Sequence, residues 1–485
     1  MKNILIKGIK IICFLLLFVC LLLKFHKIFN FKQGDPALYS LSNFYKQPEN
    51  SIDVMFLGTS HVYENINTAI LYDEYGIAAY DLCGSGQTIW NTYYYMKEAL
   101  KTQTPKLLVV DMYAMTQIDE YSDHGRIVKS NFALKLSEDK IESVKVSAPR
   151  EKWLNYLLEY PIYHSRYSEL TRDDFVTDRE EKLLDTFKGF ETYTATTAFT
   201  KTNDFYTEET VDFIEKGEEY LYKIIELAKE KQIPLLFVKS PYIVMQEHQK
   251  RFNKVSEVAE EENIPFINFN FLYDELELNF ETDFEDFSHL NYLGNVKYTR
   301  YLANYIKSNY DIPNRKGDPS YQSYEKMVKH YKQQIYNFEL TETKDFHEYV
   351  SKLHNEDYIV VCSVYGDYKN AENYSDVREE LLALGIDLGT VNHNTVWVIK
   401  NGELLFSSSA IEPFCWYMDV SKYDTLMTSF EMGAVEGIEI NLNNTIYKAV
   451  EQGINILVYD TETESVVEDA GFSFEGGRFL YEKTE

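Results

Sequence analysis

Cysteine is scarce in this chain: five among 485 residues, and no two are spaced as CxxC. Cys13 and Cys20 fall in an apolar N-terminal stretch, which leaves Cys83, Cys362 and Cys415 for the rest. That spacing supports neither a zinc site nor a disulfide framework, with a single Cys362–Cys415 bridge left open. Positive charge is also short. Against 77 Asp and Glu stand 48 Lys and Arg, a formal net charge of −29, with no basic stripe to offset it. Such a surface repels phosphates, so nucleic-acid binding is excluded as a function class. No CoA-binding pattern is evident, and neither a cofactor nor a metal is expected.

What the chain has in excess is aromatic residues, 40 Tyr and 30 Phe. That content argues against disorder; most such rings are core, and others suit surfaces that stack on sugars. A length of 485 residues exceeds what one hydrophobic core organises, so two or three domains are expected.

Residues 4–23 are apolar apart from Lys7, Gly8 and Lys10, and residues 11–23 carry no charge. About 20 residues span a bilayer as a helix, and the two lysines can snorkel. The small residues of a cleavage site are missing, because Leu23 runs directly into Lys24-Phe25-His26-Lys27. Residues 1–30 therefore read as an uncleaved signal anchor with the large remainder outside the membrane. Lys2, Lys7 and Lys10 nearly balance Lys24, Lys27 and Lys32, so charge contributes little to orientation.

A polar connector, 31–50, leads to strand-like apolar runs at 53–57, 106–111, 234–239 and 264–269, separated by helical stretches. This alternation predicts a three-layer α/β/α domain with a parallel sheet over residues 51–310. Residues 125–205 are charged and aromatic without strand rhythm, and read as a helical insertion able to roof a site. Two Pro, a Gly and a charge cluster near 311–319 mark a linker, 311–330. Residues 331–485 read as a smaller α+β domain with strand-like runs at 357–364, 395–399 and 454–459.

In open α/β sheets, sites form beyond the carboxyl ends of the strands. The first strand ends in Gly58-Thr59-Ser60-His61, where a glycine permits a tight turn and the backbone amide of His61 can point at a developing oxyanion. A serine at a strand end is more often a helix cap than a nucleophile, so partners are required. Downstream, Asp286-Phe287-Ser288-His289-Leu290-Asn291 supplies a carboxylate and an imidazole three apart. The carboxylate can fix the tautomer of His289 while its other nitrogen faces the Ser60 hydroxyl.

An early GTSH at a strand end together with a late Asp-x-x-His-Leu-Asn resembles the SGNH (GDSL-like) hydrolase superfamily. It is most similar to the membrane-anchored branch that accompanies membrane-bound O-acyltransferases, over roughly residues 51–310. The resemblance implies Ser60 as nucleophile with Asp286 and His289, and an oxyanion donor from Asp81-Leu82-Cys83-Gly84-Ser85-Gly86-Gln87, with Gly86 preferred and Gly84 the alternative. Gln87 and Asn291 become candidate pocket residues. So do His164 and Arg166 of Tyr163-His164-Ser165-Arg166-Tyr167, which looks like a motif of that branch; a capped helix with an exposed arginine is the plain reading. The superfamily's Asn donor after a later strand is missing, since that strand runs Val110-Asp111-Met112-Tyr113.

In the second domain, Tyr358-Ile359-Val360-Val361-Cys362-Ser363-Val364-Tyr365-Gly366-Asp367 is followed by Val377 to Gly385 and by Asn394-Thr395-Val396-Trp397-Val398-Ile399. This order resembles the interleukin-like epithelial-mesenchymal transition inducer domain, with the matching opening strand, Gly453 to Asp460, coming last, as after a circular permutation. The resemblance implies glycan binding; a structural β-rich module is the plain alternative. Taken together, the expected function is O-acyl transfer, acetyl foremost, to an extracellular glycan or cell-wall polymer, with a membrane-bound O-acyltransferase as partner. An esterase with the same triad and a non-catalytic glycan-binding assembly factor are the alternatives.

Overall fold

The computed structural model describes residues 2–29, 36–170, 172–175, 187–390, 394–432 and 437–484. Parts of the expected connector (30–35) and of the expected insertion (171 and 176–186) lie outside them. The chain divides into two compact units, Met1–Val328 and Lys329–Glu485.

The first helix, α1 (Lys2–Phe29), contains an apolar stretch, Ile6–His26, with a mean hydropathy of 2.6 that is not buried against the protein. It is long and apolar enough to cross a membrane. The next helix, Pro36–Phe44, replaces the expected connector. Leu41 and Phe44 enter the core and Tyr80 donates to the Ser40 carbonyl at 2.7 Å, because two buried apolar anchors make this segment part of the domain.

The first unit is built on five parallel strands, β1 (Val54–Gly58), β2 (Ala79–Cys83), β3 (Leu107–Asp111), β4 (Leu235–Lys239) and β5 (Phe266–Asn268), in the order β2-β1-β3-β4-β5. Both faces are covered. Met55 and Leu57 of β1 pack in one cluster with the helices Ile89–Ala99 and Glu215–Lys231. Val54 and Phe56 pack in the other with Tyr298, Leu302 and Ile306 of the helix Tyr292–Asn309. Alternating side chains that are all apolar are what a sheet between two helical layers demands, and the three-layer α/β/α class follows from them.

Strand β2 does not read as a strand in the sequence because Asp81 interrupts it. That carboxyl is fully buried, neither oxygen has a hydrogen-bond partner among the described residues, and burial pushes its pKa far above the ordinary range. Among the described residues of the insertion, the helices His124–Asn131 and Glu138–Ser147 are followed by the short helices Trp153–Leu158 and Tyr160–Tyr163 and by short turns. Residues 190–214 have no helix or strand. Their backbone bonds instead to neighbours: the Lys188 carbonyl accepts from the Asp81 amide (2.9 Å), the Glu191 amide donates to the Tyr63 carbonyl (2.8 Å), and the Tyr193 carbonyl accepts from the Tyr292 amide (2.8 Å).

The expected linker is docked on the first unit. Arg315 grips the buried Asp53 through two bonds of 2.7 and 2.8 Å, and Tyr72 donates to Glu325 at 2.9 Å. The division into units falls instead within the helix Gln322–Glu342.

The second unit is mostly sheet. Six strands, β6 (Tyr358–Tyr365), β7 (Thr395–Lys400), β8 (Glu403–Ser409), β13 (Gly453–Asp460), β14 (Ser465–Glu475) and β15 (Arg478–Phe479), form one sheet in the order β15-β14-β13-β6-β7-β8. Four more, β9 (Phe414–Asp419), β10 (Thr425–Phe430), β11 (Glu439–Leu442) and β12 (Thr445–Ile446), form a second. The late strand β13 pairs antiparallel with the early β6. Cys362 is buried and Cys415 exposed, and both are free thiols.

Candidate active site

Strand β1 delivers Ser60 through a turn that only glycine fits. A Cβ on Gly58 would come within 2.9 Å of Val62 and 3.2 Å of Asp111, so the turn that carries Ser60 packs this close to the end of β3 without one. Thr59 then caps a four-residue helix, Ser60–Tyr63. Its hydroxyl accepts from the His61 amide at 3.3 Å and its carbonyl accepts from the Val62 amide at 2.9 Å. The His61 amide, expected to face an oxyanion, is thus engaged as part of a cap. The Ser60 amide, one position earlier, carries no hydrogen bond among the described residues, and the first amides of a helix are the ones left without intrahelical acceptors.

On the opposite side, the loop before the helix Tyr292–Asn309 closes on itself through a bridge between Phe284 and Leu290. It holds His289 with Nε2 2.8 Å from Ser60 Oγ and Nδ1 3.0 Å from Asp286 Oδ1. Asp286 Oδ1 also accepts from the amides of Ser288 (2.6 Å) and His289 (2.9 Å). Partial burial would raise the pKa of Asp286, but its bonds to His289 and these amides outweigh that and keep it below the ordinary 3.8. With an ionised acceptor on Nδ1, the hydrogen-bond network assigns the proton to that nitrogen, leaving Nε2 to accept from the serine hydroxyl.

A second carboxyl, which the sequence does not announce, stands beside the same imidazole. Glu64 Oε2 lies 3.4 Å from His289 Nδ1, and its side chain is buried whereas that of Asp286 is 47% exposed. Burial, then the neighbouring Glu285, pushes the Glu64 carboxyl far up, and burial raises Glu285 as well, so the two hold a proton at neutral pH. Next to Glu64, the fully buried Asn65 accepts from the Leu290 amide at 2.9 Å and ties the histidine loop to the serine helix.

Beneath Ser60 is a buried polar layer. The His61 ring is fully buried, stacked on Tyr113 at 3.9 Å, with its centroid 5.3 Å from that of His289. Its Nδ1 lies 3.1 Å from Lys239 Nζ, while its Nε2 has no hydrogen-bond partner among the described residues. Burial first, then Lys239, His289 and His248, hold His61 well below its ordinary pKa and therefore neutral. Burial also lowers Lys239 to about 8 against the opposing pull of Asp111. Asp111 caps the Tyr113 amide at 2.9 Å and accepts from the Ser240 amide and hydroxyl at 2.8 Å each. Where the superfamily pattern would carry an Asn side-chain donor, this chain thus has Tyr113 packed over His61.

The other candidates separate clearly. Gly86 has a positive φ of 60° in a turn closed by the Gln87 amide on the Gly84 carbonyl (3.0 Å). The turn follows β2, whose end pairs with the end of β1 (Cys83 with Gly58), so it stands beside the serine turn. A Cβ on Gly86 would strike Arg126 at 2.6 Å. Gln87 and Asn291 are not pocket walls. Gln87 is buried and donates to Thr92 at 3.0 Å, and Asn291 is fully buried as the cap that accepts from the Leu293 and Gly294 amides at 3.0 and 3.3 Å. His164 is exposed, with Nδ1 2.9 Å from the Pro161 carbonyl. Arg166 reaches the Phe29 carbonyl at the end of α1 (2.8 Å) and Asp174 (3.0 Å). These two residues are occupied at the foot of the first helix.

No protein-family profile matches the chain, and no curated protein matches it significantly. Among solved structures it is similar to a protein of Desulfitobacterium hafniense described as a lipolytic protein of the G-D-S-L family. The identity is 13% over 53% of this chain and 99% of that one, with a TM-score of 0.28. It is likewise similar to a GDSL-like lipase from Bacteroides thetaiotaomicron, 12% identical over 55% of this chain and 98% of that one, with a TM-score of 0.28. Scores this low do not define a family, and the chemistry has to be read from the side chains.

Proposed function

We propose that the first unit is a serine acyl-transfer enzyme of SGNH type, in which Ser60 is the nucleophile, His289 the general base and Asp286 its orienting carboxylate. The observation that carries this reading is the continuous chain Ser60 Oγ–His289 Nε2 (2.8 Å) and His289 Nδ1–Asp286 Oδ1 (3.0 Å). Ser60 attacks an ester carbonyl as its proton passes to Nε2. The oxyanion is held by backbone amides, with those of Ser60 and Gly86 as the donors this geometry favours. The imidazolium then protonates the leaving alcohol, giving an acyl-serine. In the second half an acceptor hydroxyl gives its proton to His289 and takes the acyl group, which restores Ser60.

The acceptor we favour is a sugar hydroxyl of an extracellular glycan, with an O-acetyl group transferred. The membrane-length helix α1 supports this reading, since tethering raises the effective concentration of the domain beside a membrane-bound acyl supplier. Hydrolysis is the second reading, and the exposure of Asp286 and of Phe287 at the mouth favours it, because an open mouth admits water. Incubation of the full chain with an aryl acetate, with and without oligosaccharide, separates the two: acylated sugar is expected, and quantitative hydrolysis alone refutes transfer. Covalent capture by a fluorophosphonate, lost in Ser60→Ala, tests the nucleophile. Equal labelling of both proteins overturns the assignment and leaves the non-catalytic reading standing.

A further inference from the structure

We propose that residues 150–170 and 172–175 form a membrane seat, a surface that lies in the lipid interface beside the point where α1 emerges. The proposal rests on the reading of α1 as a membrane anchor. The end of α1 is fastened to this segment: His26 bonds Tyr163 and stands 3.7 Å from Glu159, and Arg166 donates to the Phe29 carbonyl at 2.8 Å. Phe29 also packs against the cluster that buries Tyr156 and Tyr163.

Beside these contacts the chain exposes large apolar groups. On the helix Trp153–Leu158, Tyr156 faces the core while Leu154 and Leu158, one turn apart, are 69% and 64% exposed. Tyr167 (73% exposed) and Phe175 each adjoin a member of the Arg166–Asp174 ion pair. Arg150 and Lys152, exposed on either side of the exposed Glu151 in the turn that opens that helix, place two cationic groups near this apolar surface. Leucine and aromatic side chains with neighbouring Arg and Lys are the composition of a segment seated at the headgroup level, where the apolar groups reach the acyl boundary and the cations meet phosphates.

The occupant is therefore a bilayer surface, because the same residues hold the end of the helix that enters the bilayer. A further link leads toward the site. Asn91 of the helix that follows the Gly84–Gln87 turn donates to Ser143 (3.0 Å) and Ser147 (2.9 Å) of the helix Glu138–Ser147. Residues 150–170 directly follow that helix. The seat thus fixes the attitude of Ser60 toward the lipid face, as an acyl donor arriving from the membrane requires.

The full chain, with Cys13, Cys20 and Cys415 changed to Ser, is reconstituted in phosphatidylcholine–phosphatidylglycerol vesicles. A nitrobenzoxadiazole label is placed at Leu158→Cys or, separately, at Leu16→Cys within α1. Brominated phosphatidylcholine is expected to quench most of the emission of both labels. Quenching at position 16 but not 158 overturns the seat while the anchor stands, and leaves the apolar surface to a protein partner. Quenching at neither position removes the anchor reading, and the seat falls with it.

Discussion

Two carboxyls beside one imidazole make the response to losing Asp286 unusual. In a triad with a single carboxylate, Asp→Asn costs about 10⁴ in rate because the histidine tautomer is lost. Here Glu64 Oε2 is 3.4 Å from the same Nδ1. It stays protonated through burial and Glu285, with Asp286 adding a smaller push in the same direction. Neutralising Asp286 removes that push, so Glu64 can ionise and accept the Nδ1 proton, still at the cost of its burial. A residual penalty of about 3 kcal/mol corresponds to a loss of about 10². Asp286→Asn should therefore lose about 10² and Glu64→Gln only a few-fold, while the double variant should lose about 10⁴. The readouts are kcat/KM on an aryl acetate and the rate of fluorophosphonate capture at Ser60, between pH 5 and 9. The wild-type Asp286 carboxyl, held below 3.8, is ionised throughout this range. In Asp286→Asn a proton must leave the Glu64–Glu285 pair first, so its rising limb should move to higher pH. Equal rates for Asp286→Asn and the double variant, or a limb that does not move, refute the reasoning.

The same carboxyl sets a stability dependence. Below its ordinary value of 4.5, Glu64 is protonated folded and unfolded; above it only the unfolded chain ionises, so this group withdraws stability as pH rises toward its folded pKa. Urea denaturation should find Glu64→Gln gaining about 2–3 kcal/mol over wild type at pH 8 relative to pH 4. Gly294→Ala would bring a Cβ to 2.2 Å from the Asp283 carbonyl, in the first turn of the helix that follows His289. It should cost about 1–3 kcal/mol and slow fluorophosphonate capture. Lys239→Met leaves the buried Asp111 without its cation, and should cost about 3–5 kcal/mol in the same urea experiment.

The parts of this fold that could be read from the sequence are those where one physical requirement acts on consecutive residues. Strands β1, β3 and β4 lie between two helical layers, so their side chains are apolar up to the carboxyl ends, where Asp111 and Lys239 turn polar, and the runs stand out. β2 meets the same requirement except at Asp81, and that one buried acid hides it. Ser60, Asp286 and His289 were recognisable because each sits at a strand end or loop with a fixed local spacing. Their contact across the domain is what the spacing had implied, and the structure brings them to hydrogen-bond distance. The helical character expected of 125–205 is absent from its last part, 190–205, because that stretch satisfies its backbone on the Ser60 helix and the His289 loop instead of on itself.

Polar residues next to the motif pointed the wrong way for a related reason. A turn that presents a reactive side chain leaves backbone amides unpaired, and a buried amide must find an acceptor. Asn291, Thr59 and Asp111 supply those acceptors, so Asn291, expected as a pocket residue, serves as a helix cap, as Thr59 and Asp111 do. The other polar groups at the His289 loop come from elsewhere in the chain: Glu64 approaches the His289 ring and Asn65 accepts from the Leu290 amide, both lying just after Ser60 in Val62-Tyr63-Glu64-Asn65-Ile66, where acid and amide side chains stand between residues that are themselves buried. A buried acid one turn from Ser60 has no packing reason to be there, and in the sequence it looks no different from Asp81. Asp81 faces no polar partner, whereas Glu64 faces the imidazole. That difference in partner, invisible in either local sequence, makes one an isolated neutral acid and sets the other against the His289 imidazole.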